Sequence, residues 1–267
     1  MSYSTEKVIT SSFTIPYIKF GTGDKTLVIL PGLSLQSVIP AAPAIEKQYQ
    51  IFCKEYTVYL FDRREDMPNS YSVYNMAEDT AKGMKMLGIS NACLFGVSQG
   101  GMIAMIIAAE YPGLVEKLAL GSSAAYITKS SAAVLNEWRS FAEKGDAQAL
   151  CLSFGEKVYS AEVFAQYKDA FIILARNINE NDLKRLITLV KGTLSFDMRD
   201  RLASIKCPVL AIGDTDDKVL GTDSVLQIFA LQKDNPGFEM FLYSGYGHAA
   251  YDTAPDYAQR LYEFFKG

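Results

Sequence analysis

Ala92-Cys93-Leu94-Phe95-Gly96-Val97-Ser98-Gln99-Gly100-Gly101, running into the apolar stretch Met102–Ala109, is the segment on which the fold turns. A short apolar run enters a glycine-flanked serine and a longer apolar run leaves it. That order predicts a buried strand, a sharp turn and a buried helix. The glycines have a steric reason. A serine at so tight a turn sits in strained backbone, and a Cβ at position 96 or 100 would collide with neighbouring main chain. Gly101 adds room. The helix that follows points the positive end of its dipole at any negative oxygen formed beside Ser98. Strand, Gly-x-Ser-x-Gly and helix in this order is the setting in which a serine becomes a nucleophile.

A serine hydroxyl is a poor nucleophile without a nearby base. The chain has one histidine, His248, in Tyr243-Ser244-Gly245-Tyr246-Gly247-His248. This segment follows the last predicted strand, where α/β sites assemble. If an imidazole activates Ser98, His248 is the candidate. The imidazole needs a carboxylate to hold its tautomer. Val209-Leu210-Ala211-Ile212-Gly213-Asp214-Thr215-Asp216-Asp217 offers three acids after a strand. Asp216 is taken as the partner, with Asp214 and Asp217 as alternatives that read as turn formers or solvated surface. The acid run lacks the sixth-position glycine and twelfth-position glutamate of a calcium loop. One histidine and no paired cysteines give little support to a zinc site.

Around this centre, β-branched and apolar runs alternate with helical spacing. Strands are expected over Phe13–Phe20, Thr26–Leu30, Thr57–Phe61, Ala92–Gly96, Val115–Leu120, Val209–Ile212 and Phe238–Tyr243. Helices are expected over Ala41–Lys54, Met76–Leu87, Gln99–Tyr111 and Pro255–Phe265, the last opened by a capping box at Thr253-Ala254-Pro255-Asp256. Alternation of this kind predicts an α/β fold with an open, mostly parallel sheet flanked by helices. The rhythm breaks over 123–196, where the pattern is helical only. One face there carries Val163, Tyr167, Phe171 and Leu174, and another carries Leu183, Leu186, Ile187 and Val190. The division expected is a core of 1–122 and 197–267 with a helical insertion at 123–196. Asp62-Arg63-Arg64-Glu65-Asp66 reads as a solvated loop of mixed charge.

Composition narrows the class. The chain has 267 residues, 49% hydrophobic and 21% charged, with net charge −4. Its mean hydropathy is +0.06 and its pI about 5.2. This supplies a sizeable core and argues against disorder and against a phosphate-neutralising nucleic-acid binder. The longest apolar run, Met102–Ala109, falls far short of the ~20 residues that cross a bilayer, so no membrane association is expected. Met1–Lys7 lacks the basic and apolar regions of a secretory signal. Cys53, Cys93, Cys151 and Cys207 are widely spaced and read as buried thiols in a reducing compartment, the cytoplasm.

The Ser98 turn, the chain order Ser98–Asp216–His248 and the helical insertion together resemble the α/β-hydrolase family, over about Phe13 to Phe265. The resemblance implies that Gly213-Asp214-Thr215-Asp216 is the family's Gly-x-x-Asp acid turn, the reason for preferring Asp216. Phe196–Leu202, leading to Ile205-Lys206-Cys207-Pro208, looks like the return from the cap into the sheet. Gly247-His248-Ala249-Ala250-Tyr251, with Pro255 after it, looks like the histidine loop and closing helix. By the same resemblance, the insertion is a cap over the site and the oxyanion hole uses the backbone N–H groups of Gln99 and Leu33. The sequence departs from the family at Pro31, which stands in Leu30-Pro31-Gly32-Leu33-Ser34 where a histidine is usual. Proline has no N–H and cannot be a donor.

The function expected is a serine hydrolase cleaving a small-molecule carboxylic ester or lactone through an acyl-enzyme, with no cofactor and no metal. A serine at 98, not an aspartate, argues against the family's epoxide hydrolases and haloalkane dehalogenases. Amide, thioester or carbon–carbon bond cleavage and acyl transfer use the same triad. A slow or non-catalytic ligand receptor on the same fold is the alternative outside enzymology. Tyr126, Trp138, Phe141, Phe154, Phe164, Phe171 and Phe196 in the insertion suit an uncharged acyl or aryl group, although such residues also serve as helix-packing core.

Overall fold

The computed structural model describes residues 3–267. Of the N-terminal stretch read for a signal, Met1 and Ser2 lie outside the described residues. The chain begins with strands β1 (Ser4–Ile9), β2 (Thr14–Phe20) and β3 (Lys25–Leu30), then helix α1 (Ala42–Gln48) and β4 (Tyr56–Phe61). Helix α2 (Val73–Met86), β5 (Ala92–Val97), α3 (Gln99–Glu110) and β6 (Val115–Gly121) follow. Next come α4 (Lys129–Glu143), α5 (Ala147–Val158), α6 (Ala161–Asn177) and α7 (Glu180–Leu194). The chain closes with β7 (Val209–Asp214), α8 (Asp223–Gln232), β8 (Phe238–Tyr243), α9 (Ala250–Thr253) and α10 (Tyr257–Lys266).

The strands form one eight-stranded sheet in the order β1-β2-β4-β3-β5-β6-β7-β8. β2 runs antiparallel to β1 and β4, and all other pairs are parallel. Every residue of β5 and of β7 is buried, because helices cover both faces of the sheet. One core layer joins α2, α3 and α8 to the sheet; the other joins α1 and α10 to its opposite face. Six parallel strands therefore deliver their C-terminal ends to one rim, the place where α/β sites form.

Helices α4 to α7 all lie between β6 and β7, and each is capped by its own sequence. Thr128, Asp146, Ser160 and Asn179 accept N–H bonds from the first turns of the four helices. The chain leaves and returns at one place: Tyr126 bridges Asp197, and the Met198 N–H donates to the Ala125 carbonyl at 2.8 Å. The four helices are not packed apart from the sheet. Leu135, Trp138, Leu150, Leu186 and Val190 belong to the same buried cluster as Val28 and Leu30 of β3.

Several local expectations change. β1 was not anticipated, since Ser-Thr-Glu-Lys-Val-Ile is mostly exposed and takes its strand form from pairing with β2. The helix expected over Ala41–Lys54 stops at Gln48, and a single tight turn occupies Gln50–Phe52. The capping box at Thr253 does not form. Thr253 ends α9 and donates to the Ala249 carbonyl at 2.9 Å, while α10 starts after Asp256 without a side-chain cap. On α6 the expected buried face is only half-buried, with Tyr167 54% exposed.

Candidate active site

Ser98 joins β5 to α3 at φ 51°, one of three non-glycine residues with positive φ among the described residues. The tight approach explains its neighbours. A Cβ on Gly96 would lie 2.4 Å from the Gly100 carbonyl oxygen, and one on Gly100 would lie 2.1 Å from that of Leu30. The strain is held by packing on every side: Ser98 N–H donates to Gly121 at 2.8 Å, and its carbonyl accepts from Ser123 Oγ at 2.9 Å. Gln99 opens α3, so its N–H has no acceptor within the helix. Gly32 faces the serine across the turn, where an added Cβ would stand 3.2 Å from Ser98 Cβ.

His248 lies just after β8 in the tight turn Gly247–Ala249 and is 4% exposed. Its Nδ1 is 2.8 Å from Asp217 Oδ2. Asp217, not Asp216, is thus the carboxylate beside the imidazole. The other Asp217 oxygen accepts the N–H groups of Val219 at 2.8 Å and Leu220 at 3.0 Å, which turns the side chain inward. Burial pushes the Asp217 carboxyl up, but the charge and hydrogen bond of His248 and the two amides outweigh it, leaving it below the ordinary range. Asp216 points elsewhere: it accepts the Gly245 N–H at 2.7 Å and the Ser244 hydroxyl at 3.3 Å. Asp214 accepts the N–H groups of Asp216 at 2.7 Å and Tyr246 at 3.0 Å. These two acids clamp the β7 turn to the histidine loop. Three acids in four residues cannot be told apart by spacing, because each also finds a partner in the distant segment Ser244–His248.

Ser98 and His248 line one cavity with Gly32, Leu33, Gln99, Met102, Leu135, Trp138, Phe154, Val158, Thr193, Val219, Leu220 and Tyr251. No hydrogen bond joins Ser98 Oγ to His248 among the described residues. The cavity is small, about 30 Å³, and most of the side chains on its wall are apolar. His248 brings the imidazole to its wall, and no Lys, Arg, Asp or Glu lines it. Of the aromatics read from the sequence, Trp138 and Phe154 reach the cavity, their rings tilted by 41° at 4.9 Å between centroids.

The stretch Asp62–Asp66 is only in part the solvated loop expected: Glu65 and Asp66 are exposed, but its first two residues are not. Asp62 is 3% and Arg63 6% exposed, since both find buried polar partners behind the cavity. Charge patterning in sequence carries no sign of this, because the partners come from residues 31, 99 and 185.

Comparison with known proteins agrees with this fold. A family model described as alpha/beta hydrolase fold matches residues 25–255. The human protein named Serine hydrolase BPHL is 24% identical over 225 residues, covering 80% of this chain and 71% of its own. RutD of Klebsiella pneumoniae, provisionally named a carbamate hydrolase, is 27% identical over 219 residues, covering 80% and 79%. Among solved structures, the α/β-hydrolase enzyme MGS-M2 from a Medee basin deep-sea metagenome library superposes with TM-score 0.87 at 22% identity, covering 98% of each chain. The enol-lactonase of Burkholderia xenovorans LB400 superposes with TM-score 0.84 at 18% identity, covering 98% of this chain and all of its own. No helix among the described residues is long and apolar enough to cross a membrane. With its sheet order, its serine turn and a family match over most of its length, the chain belongs to the α/β-hydrolase fold family and is an enzyme of the hydrolase type.

Proposed function

We propose that this protein hydrolyses a small, uncharged carboxylic ester or lactone through an acyl-enzyme on Ser98. The observation that carries the reading is the 2.8 Å contact between Asp217 and a buried His248 that shares one apolar cavity with Ser98. Asp217 holds Nδ1–H, which leaves Nε2 as the base. Ser98 Oγ attacks the carbonyl carbon as Nε2 takes its proton; the bond between them tightens only with substrate in place. The oxyanion is held by the N–H groups of Gln99 and Leu33, aided by the α3 dipole. His248 returns the proton to the leaving oxygen, and water then frees Ser98 by the same route. Residues 123–196 act as the cap, supplying Leu135, Trp138, Phe154 and Val158 to the wall.

The neutral wall favours an acyl group without charge, since an unpaired charge there would lose its hydration uncompensated. The enol-lactonase and esterase structures that share this fold point the same way. Four free cysteines suit a reducing compartment, the cytoplasm.

The test is covalent. A fluorophosphonate should label the wild type rapidly and leave Ser98→Ala unlabelled, and His248→Ala should label slower by orders of magnitude. Nitrophenyl esters of rising acyl length, with lactone, carbamate, thioester and amide members, then rank the substrates. A folded wild type that resists the probe and turns over none of the panel is a ligand receptor instead. Turnover that needs an added alcohol or thiol assigns acyl transfer.

A further inference from the structure

A buried polar band lies behind the Gln99 side of the cavity. The Arg63 guanidinium donates from Nε and Nη2 to Gln99 Oε1 at 3.1 and 3.0 Å, and from Nη2 to the Pro31 carbonyl at 2.7 Å. One group therefore grips both segments that carry the proposed oxyanion donors: Gln99 itself, and Pro31, two residues before Leu33. The band continues outward. Gln99 Nε2 donates to Thr193 Oγ1 at 2.7 Å and to the Leu189 carbonyl at 3.2 Å, both on α7. Asp62 accepts the Arg63 N–H at 2.7 Å and Arg185 Nη2 at 2.8 Å, and its second oxygen accepts the Val38 N–H at 3.2 Å. Arg185 Nη1 reaches the Ser34 carbonyl at 3.0 Å. Residues 31–38 are thus tied at both ends.

The charge pattern is unusual for a device of packing alone. Both acceptors of the Arg63 side chain are neutral, and the neighbouring Asp62 carboxylate is shared with Arg185. Burial pushes the Arg63 guanidinium down to about 10, so it remains a cation at neutral pH. Burying a cation against neutral acceptors costs free energy, and a well-packed apolar pair would often be at least as stable. What the cation adds is positive potential beside the point where an acyl-transfer intermediate carries its negative oxygen, in a site from which water is largely excluded.

We propose that Arg63 is the positioning residue of the oxyanion hole, setting the Leu33 and Gln99 amides through Pro31 and the Gln99 side chain and biasing the hole toward negative charge. The proposal rests on the reading of Ser98 as the acylated residue.

Two variants test it with a nitrophenyl ester and an alkyl boronic acid, which forms a tetrahedral anion on the serine. Arg63→Met removes charge and fork together. Gln99→Glu keeps an acceptor oxygen for Arg63 but places a negative charge beside the hole. In both, kcat should fall at least about tenfold, below the roughly 10²–10³ that loss of one donor costs. KM should change less than about threefold, and boronic acid affinity should fall by the same factor as kcat/KM. Arg63→Lys should recover part of the loss. Boronic acid affinity unchanged in a folded Arg63→Met, or kcat unchanged in Gln99→Glu, overturns the proposal. Should Arg63→Met fail to fold, Gln99→Glu, which keeps the cation paired, still decides. A wild type not labelled at Ser98 by fluorophosphonate removes the serine reading itself, and this proposal falls with it.

Discussion

Asp217 stays ionised in a buried position because its oxygens face His248 and the N–H groups of Val219 and Leu220. Replacing it with Asn should leave the shape but let the imidazole settle in the wrong tautomer. Asp217→Asn should therefore cut kcat/KM by about 10³–10⁴, the scale seen when a triad acid becomes an amide. Asp216→Asn, which loosens only the Gly245 and Ser244 contacts, should cost under about tenfold; steady-state kinetics on one chromogenic ester compares them. The reverse ranking would return the acid to Asp216. Gly100 gives a steric counterpart. A methyl group 2.1 Å from the Leu30 oxygen cannot be absorbed by a flexible side chain, so Gly100→Ala should destabilise by about 2 kcal/mol or more, read from urea midpoints.

At the scale of elements, α6 and α7 share the insertion but differ in attachment. α7 sends Arg185, Leu189 and Thr193 into the band that reaches Asp62 and Gln99, and five of its residues are buried. α6 buries only Ala175 and exposes Tyr167 and Ile173 by 54% and 57%. Removing Arg185 leaves the Asp62 carboxylate, 2% exposed, without its cation. Arg185→Met should cost about 3 kcal/mol or more and raise hydrogen exchange across residues 31–38. Tyr167→Ser and Ile173→Ser should each shift stability by no more than about 0.5 kcal/mol. A loss equal to that of Arg185→Met would mean α6 is bound as firmly as α7.

For the whole molecule, the depressed carboxylates set an acid limit. Glu6 is held low by Ser4 and Tyr17, Asp197 by Arg199, and Asp217 by His248 and two amides despite its burial. Each binds fewer protons folded than unfolded once pH falls below the ordinary carboxylate range. Their stabilisation is thus complete above about pH 4–5 and is lost as pH drops through the lower folded values. Urea unfolding from pH 7 down to pH 3 should show stability falling only in the acid part. A flat profile to pH 3 would contradict these shifts.

Strand–turn–helix order, the glycines around Ser98, the lone histidine and the all-helical stretch before β7 were readable in the chain, because each rests on local sterics or on periodic burial. β1 was not, since its strand form comes from β2. Neither were the directions of Asp214, Asp216 and Asp217, nor the burial of Asp62 and Arg63. Local geometry is set by neighbours within a few residues, so sequence by itself determined the seven strands from β2 to β8, the serine turn and the class of chemistry. Which carboxylate meets the imidazole, and which cation lies behind Pro31 and Gln99, depends on hydrogen bonds across 31 and 36 residues, and those partners exist only once the sheet has closed.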